Sequence, residues 1–193
     1  MFPAIAAFTV DPQGLKALGD FLVASPPWRD WVLLSLSSRL YDKSHLDQLY
    51  TMLAESKSPP TTRELEGYLN RLIRDGRYEL AYQTWQQATK AQPGPANDLY
   101  NGDFDRPVDG LPFNWSISSI SGAEADIVPA EGAKGRALRV QFSGARVQFA
   151  NVQQTMLLPP GGYRLAGRVK ADNLQASRGL WWSVRCAGAD GAF

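Results

Sequence analysis

The spacing of apolar residues changes once along this 193-residue chain, and that change limits the possible folds more than any other feature. In residues 1–92 apolar residues recur every three to four positions, as in amphipathic helices. In residues 99–193 they alternate with polar residues between Gly and Pro breakers, as in strands. Residues 93–98, with two Pro and a Gly, separate the patterns. We therefore expect an α+β protein in two segregated parts, an all-α domain and a β domain joined by this linker.

Five helices are predicted in the first part. Asp11 caps the first, with Pro12 at its first position, and Gly76 ends the fourth. The expected helices cover residues 12–24, a segment capped by Ser25 and opened by Pro26 and Pro27, residues 44–56, a segment from Thr61 or Thr62 to Gly76, and residues 78–91.

The last two helices resemble a tetratricopeptide repeat. The matching residues are Gly76, Tyr78, Ala81, Trp85, Ala88 and Pro93. In that family the small residues at positions such as Ala81 and Ala88 let helices approach, while the aromatic ring fills the groove. Leu69 departs from the pattern, which prefers a small residue there. Residues Leu46, Tyr50 and Leu53, 35 positions earlier, resemble a degenerate second copy. An unrelated small helical bundle is the alternative.

Six strands are predicted in the second part, at residues 113–120, 123–128, 136–143, 147–158, 163–172 and 180–187. Pro-Pro-Gly-Gly at 159–162 indicates a hairpin turn between the fourth and fifth. Short strands at this spacing favour an antiparallel β-sandwich or jelly roll. Because a jelly roll has eight strands, we expect the fold to be C-terminally incomplete, with an unpaired sheet edge that favours self-association.

Two short runs make the second part resemble a bacterial carbohydrate-binding module with a galactose-binding-like jelly roll. They are Leu-Tyr-Asn-Gly-Asp-Phe at 99–104 and Pro-Phe-Asn-Trp at 112–115; the strands at 137–140 and 162–165 fit the same pattern. Tetratricopeptide helices followed by such a module resemble bacterial proteins found with exopolysaccharide export systems. The resemblance implies an extracytoplasmic or periplasmic location, a polysaccharide ligand and a protein partner in the helical groove.

Period-two alternation separates two faces of the late strands. The apolar face is expected to carry Leu138, Val140, Phe142, Tyr163, Leu165, Val169, Ala171, Trp182, Val184 and Cys186. The outward face is expected to carry Arg139, Gln141, Arg164, Arg168, Lys170, Trp181 and Arg185. A Trp ring is a flat platform for a sugar ring, and Arg forks bind carboxylates and hydroxyls. This face therefore favours an acidic polysaccharide; a solvated outer sheet with Trp181 packed under a loop is the alternative.

The chain has little catalytic equipment, and we expect it not to be an enzyme. Its one His, His45, would have to serve as the base of any Ser-His or Cys-His mechanism, and Cys186 is its one Cys. The carboxylate pairs Glu64/Glu66, Asp103/Asp105 and Glu124/Asp126 lack a sequence signal for an apolar pocket that would raise one pKa, as a glycosidase requires.

No cofactor or metal site is predicted. Asp98, Asn101, Asp103 and Asp105 offer oxygen ligands where related modules sometimes hold calcium, but turn capping is the favoured interpretation. Phe104 and Trp115 are expected to be core anchors.

The net charge of +1 gives no basic field for nucleic acid, and no apolar run reaches the roughly 20 residues of a membrane span. The favoured function is a non-catalytic scaffold that binds a protein partner through its helices and a polysaccharide through its sheet. A purely protein–protein module of a cell-envelope complex is the main alternative, and a hydrolase with its catalytic part elsewhere is the third.

Overall fold

The computed structural model describes residues 11–39, 42–91, 99–132, 134–144, 146–175 and 179–186. Helices occupy the first half and a few antiparallel strands the second, so the expected α+β layout is confirmed. The expected linker at 93–98 lies outside the described residues.

The five predicted helices are present among the described residues. They are α1 (Pro12–Val23), α2 (Arg29–Arg39), α3 (Lys43–Ala54), α4 (Thr62–Arg74) and α5 (Tyr78–Thr89). The chain folds into helices here because one face of each carries apolar residues three and four positions apart, and those faces are buried together.

Side-chain and glycine caps set the helix ends. Asp11 accepts hydrogen bonds from the backbone N–H groups of Gln13 and Gly14 and starts α1. Gly76, at φ +73°, ends α4: its N–H donates to the carbonyl of Ile73, and the next N–H donates to that of Leu72. Both predicted boundaries are therefore confirmed.

The predicted cap of α2 is wrong. Ser25 lies at φ +53° and donates its N–H to the carbonyl of Leu22, so it terminates α1 rather than capping α2. Helix α2 begins at Arg29, three residues beyond Pro26, because Pro26 and Pro27 lie in the preceding turn. Helix α3 is capped by Asp42, whose carboxylate accepts the N–H of Ser44.

Helix packing proceeds in alternate pairs, with α1 against α3 and α2 against α4, while α5 packs on α4. Close approach depends on glycine: a Cβ at Gly67 would lie 2.7 Å from Cδ2 of Leu34. Leu33, Leu49 and Leu69 are fully buried at the centre of this core.

The described strands form two separate two-stranded antiparallel sheets. Strands β1 (Ser116–Ile117) and β4 (Val152–Gln153) pair in one, and β2 (Ala123–Pro129) and β3 (Arg136–Phe142) pair in the other. Two of the six predicted strands are close to their predicted lengths, and the first and fourth are reduced to two residues each.

The predicted strands at 163–172 and 180–187 are wrong, because the described residues of these segments carry no sheet pairing. Their predicted apolar face is not buried either: Val169 is 93% exposed, and Tyr163, Leu165, Trp182, Val184 and Cys186 are exposed. Alternation buries a face only when a paired strand and a second layer are present.

The chain divides into two compact units, Met1–Leu158 and Pro159–Phe193. In the first unit the residues after the predicted linker share the helical core, because Leu111 and Phe113 are buried with Trp85. The Trp85 ring lies 4.9 Å from that of Tyr100 and 5.7 Å from that of Phe113, centroid to centroid. In this unit, helices and β segment share one core.

The residues that match the repeat spacing differ in burial: Gly76 is exposed, Tyr78 is half-buried and Pro93 lies outside the described residues. Ala81 and Trp85 on α5, and Leu46, Tyr50 and Leu53 on α3, lie in the core. Ala88 is exposed, so its predicted role in close helix approach is wrong. Among the described residues, none of the helices has the length and apolar character needed to cross a bilayer.

Candidate functional site

The hairpin of β2 and β3 presents two of the predicted ligand-binding residues. Its register places Asp126 opposite Arg139 and Glu124 opposite Gln141. Arg139 and Gln141 are exposed while Leu138, Val140 and Phe142 are half-buried, so the predicted alternation is confirmed on this strand. It holds here because β3 is paired along its whole length.

The same pairing contradicts the expectation that this face carries cations without carboxylates. Arg139 donates from Nε and Nη2 to the two carboxylate oxygens of Asp126, at 3.2 and 2.8 Å. This hydrogen-bonded pair raises the pKa of Arg139 above its ordinary value. Directly opposite residues of an antiparallel pair share a face, so Glu124 and Asp126 offset the charge of Arg139.

The other predicted ligand-binding residues lie in the second unit. Trp181 is 71% exposed, and Arg164, Arg168, Lys170 and Arg185 are exposed as well. This unit contains five Lys or Arg against two Asp or Glu. The excess of basic over acidic residues that was expected on the outward face therefore lies in the second unit.

The predicted acid pair on α4 has a structural role. Glu64 is fully buried; it accepts two hydrogen bonds from Arg29 and one from the backbone N–H of Thr61. Glu66, its predicted companion, is exposed. Because Glu64 is fully buried and its carboxylate is occupied by these donors, it is not accessible to a substrate.

Arg29 is a residue that the sequence interpretation missed. Its guanidinium also donates to the carbonyls of Leu22 and Pro59 and to the hydroxyls of Ser25 and Ser58. It therefore joins the ends of α1, α2 and α4. The Thr61/Glu64 capping box gave a local signal for one partner, but no local pattern indicates an arginine 35 positions earlier.

A second polar cluster is centred on Asp47 of α3. Its carboxylate accepts from the Tyr68 hydroxyl at 2.6 Å and from both Nη atoms of Arg77. Burial, aided by Asp47, holds the pKa of Tyr68 well above its usual range. The Tyr68 ring stacks on that of Tyr50 at 4.0 Å. The cluster ties α3, α4 and the start of α5 together.

The run at 99–104 forms a tight corner. The Asn101 side chain brackets Arg106, accepting from its N–H at 2.8 Å and donating to its carbonyl at 3.0 Å. The backbone carbonyl of Asn101 accepts from the indole of Trp115, which is buried and packs on Phe104. The predicted anchoring role of Trp115 is thus confirmed, while Phe104 is half-buried beside it.

The acidic oxygens near this corner stabilise turns. Asp103 accepts from the N–H of Asp105, and Asp105 accepts from the N–H of Arg136. In the described part of the chain no three His, Cys, Asp or Glu side chains are grouped to hold a metal ion. Asp98, the fourth predicted ligand, lies outside the described residues.

The two remaining candidates for catalytic chemistry are His45 and Cys186. Nδ1 of His45 lies 3.5 Å from the carboxylate of Asp42, the residue that caps α3. Cys186 is exposed in the second unit.

No family model, no curated protein and no solved structure matches this chain.

Proposed function

We propose that the protein is a non-catalytic binding scaffold that holds an acidic polysaccharide through its second unit and a protein partner through its helices. The observation that carries the proposal is the exposure of Trp181 in a unit that contains more cations than carboxylates. A tryptophan exposed over 71% of its surface costs hydration free energy unless a ligand covers it. Sugar rings stack on such a surface.

Charge favours an acidic polysaccharide over a neutral one for this unit. Arg168 and Arg185 are exposed, and the 35 residues from Pro159 to Phe193 include five Lys or Arg but two Asp or Glu. Guanidinium groups bind carboxylates in a bidentate manner, so uronate or other acidic sugars are the matching ligands.

The helical domain supplies the support for a protein partner. Phe21 of α1 is 64% exposed, and Trp28 and Trp31 at the start of α2 are nearly half exposed. Exposed aromatic residues are enriched at protein interfaces. The buried repeat positions Ala81 and Trp85 support the finer proposal that these helices form a tetratricopeptide-like scaffold.

The finer proposal for residues 99–193 is a jelly roll of the carbohydrate-binding type. Its support is the corner that Asn101 and Trp115 build at the start of the segment, where the resemblance is most specific. On this proposal the protein acts in bacterial exopolysaccharide assembly or export, outside the cytoplasm.

A glycan array at low salt tests the function. The full chain is expected to retain anionic glycans, and binding is expected to fall when salt is raised to the physiological range. Trp181→Ala should abolish retention, whereas Trp28→Ala, which removes an exposed tryptophan of the first unit, should not. Equal retention by both variants would reject Trp181 as the ligand platform.

The exposed apolar side chains of the second unit favour the alternative, a protein–protein module without glycan binding. Val169, Val184 and Leu165 are each more than half exposed, and several exposed apolar residues in one unit are a feature of protein interaction sites. A silent array together with a stable protein complex lost in Val169→Lys would establish this alternative.

A further inference from the structure

A polar cleft lies in the first unit between α4 and the short sheet of β1 and β4. Its volume is about 190 Å³, well above the roughly 10–15 Å³ that one water requires and below the roughly 300–1,000 Å³ of drug-sized pockets. The side chains and backbone that line it include Glu66, Asn70, Ser116, Gln153, Gln154 and Thr155. The dimensions suit one small polar ring.

The sheet side of the cleft is held in place by backbone pairing. Ser116 and Gln153 are directly opposite partners in the β1–β4 ladder, so their side chains share a face. The backbone N–H of Thr155 donates to the carbonyl of Pro112 at 2.8 Å. A floor fixed in this way requires little ordering when a ligand binds.

The helix side is equally well supported. Glu66 and Asn70 are four positions apart on α4, so they project from the same face, and both are exposed. Helix α4 is anchored by Glu64, two positions before Glu66, through its bond with Arg29. The two polar side chains thus face the cleft from a rigid element.

Gln154 is a fixed part of the cleft wall. Its Nε2 donates to the carbonyls of Tyr100 and Phe113, which fixes the amide orientation. Its Oε1 is buried and has no hydrogen-bond partner in the described part of the protein. Because this oxygen is buried, a ligand in the cleft does not reach it, and Gln154 shapes the wall without supplying a binding group.

From these features we infer that the cleft binds the ring of a neutral sugar. Amides and hydroxyls both donate and accept, as sugar hydroxyls do, so the two sets match. The described lining residues include no cation, and Glu66 repels an acidic sugar. This site contains neither Trp181 nor the cations of the second unit. The inference can therefore fail while the proposed function holds, and the proposed function can fail while the inference holds.

Backbone amide NMR shifts of the full chain, titrated with D-glucose, D-galactose and D-mannose, test the inference. At least one sugar is expected to give saturable shifts around Ser116 and Gln153, with a dissociation constant on the order of millimolar. Asn70→Ala and Gln153→Ala are each expected to weaken binding about fivefold, the effect of one lost hydrogen bond. Both sites are exposed, so the fold should tolerate both changes.

Two controls define the outcome. Gln87→Ala, at an exposed position of α5, and Trp181→Ala should leave the titration unchanged. Absence of saturable shifts with all three sugars would overturn the inference, as would cleft shifts that survive both Asn70→Ala and Gln153→Ala. Galacturonate binding as tightly as the neutral sugars would overturn it too.

Discussion

Arg29 and Glu64 form a two-point ion pair in the interior of the helical domain. Nε donates to Oε1 at 2.9 Å and Nη2 to Oε2 at 3.0 Å, and the side chains are 5% and 0% exposed. Each partner has further hydrogen bonds, so neither charge is left unsatisfied. A pair of this kind is costly to break because the remaining charge stays buried.

Glu64→Gln is therefore expected to lower the free energy of unfolding by about 3 kcal/mol, since it leaves the Arg29 guanidinium buried without a counter-charge. Urea unfolding measures the loss. Glu66→Gln, two positions away and exposed, is the matched control and should change stability by less than about 0.5 kcal/mol. Similar stabilities for the two variants would contradict the structural role of the pair.

Alkaline pH is expected to destabilise the protein through two buried tyrosines. Burial raises the pKa values of Tyr50 and Tyr68 well above the ordinary 10.0. Below pH 10 the phenols are neutral in both states, so their packing contributes fully. Above it the unfolded chain releases protons that the folded chain retains, and stability falls by about 1.4 kcal/mol per pH unit for each group.

Tyr50→Phe tests this dependence. The variant is less stable at neutral pH, because the hydroxyl of Tyr50 donates to the carbonyl of Glu64 at 2.9 Å. Its stability should nevertheless fall less steeply above pH 10, by about 1.4 kcal/mol per pH unit less than in the unchanged chain. Chemical unfolding across the pH series measures the slope, with Tyr163→Phe, at an exposed tyrosine, as the control.

Sequence patterns located the helices well because their periodicity is local. The four apolar residues that recur three and four positions apart on α4, Leu65, Tyr68, Leu69 and Leu72, are all buried. The bond between Arg29 and Glu64 could not be predicted, because 35 positions separate the residues and tertiary packing alone brings them together.

The same limit explains the mixed result for the strands. Alternation placed Leu138 and Val140 correctly because β2 pairs with β3 and fixes its faces. It failed at Val169 and Val184, where no sheet partner is present in the described residues. It also overlooked Asp126, since an opposing carboxylate becomes visible only through the pairing register.

Ala81 and Ala88 provide a direct test of the repeat interpretation of α5. Ala81 is fully buried, so Ala81→Leu is expected to overpack the core and cost about 2 kcal/mol of stability. Ala88 is exposed, so Ala88→Leu should change the melting temperature little. Thermal unfolding of both variants measures the difference; a large loss at Ala88 would restore its predicted role in helix packing.

Exposed apolar residues in the second unit are expected to promote self-association. Val169 is 93% exposed and Val184 65%, and apolar segments that have no sheet partner in the described residues are templates for intermolecular pairing. Sedimentation velocity should show average mass rising with concentration. Val169→Lys should reduce that rise, because a charge on an unpaired edge opposes pairing; a monodisperse chain at high concentration would contradict the expectation.

Arg139 and Arg185 are expected to differ in their contribution to anionic glycan binding. Asp126 already holds the Arg139 guanidinium at 2.8 Å, so an incoming carboxylate would have to displace it and would meet the repulsion of Glu124. Arg185 is exposed in the unit with excess cations. Arg185→Gln should therefore weaken retention of an anionic glycan several-fold, and Arg139→Gln should leave it unchanged. Titration calorimetry at low salt measures both.

A stronger effect at Arg139 would move the ligand platform to the β2–β3 hairpin. Asp126→Asn, which frees Arg139, would then be expected to strengthen binding.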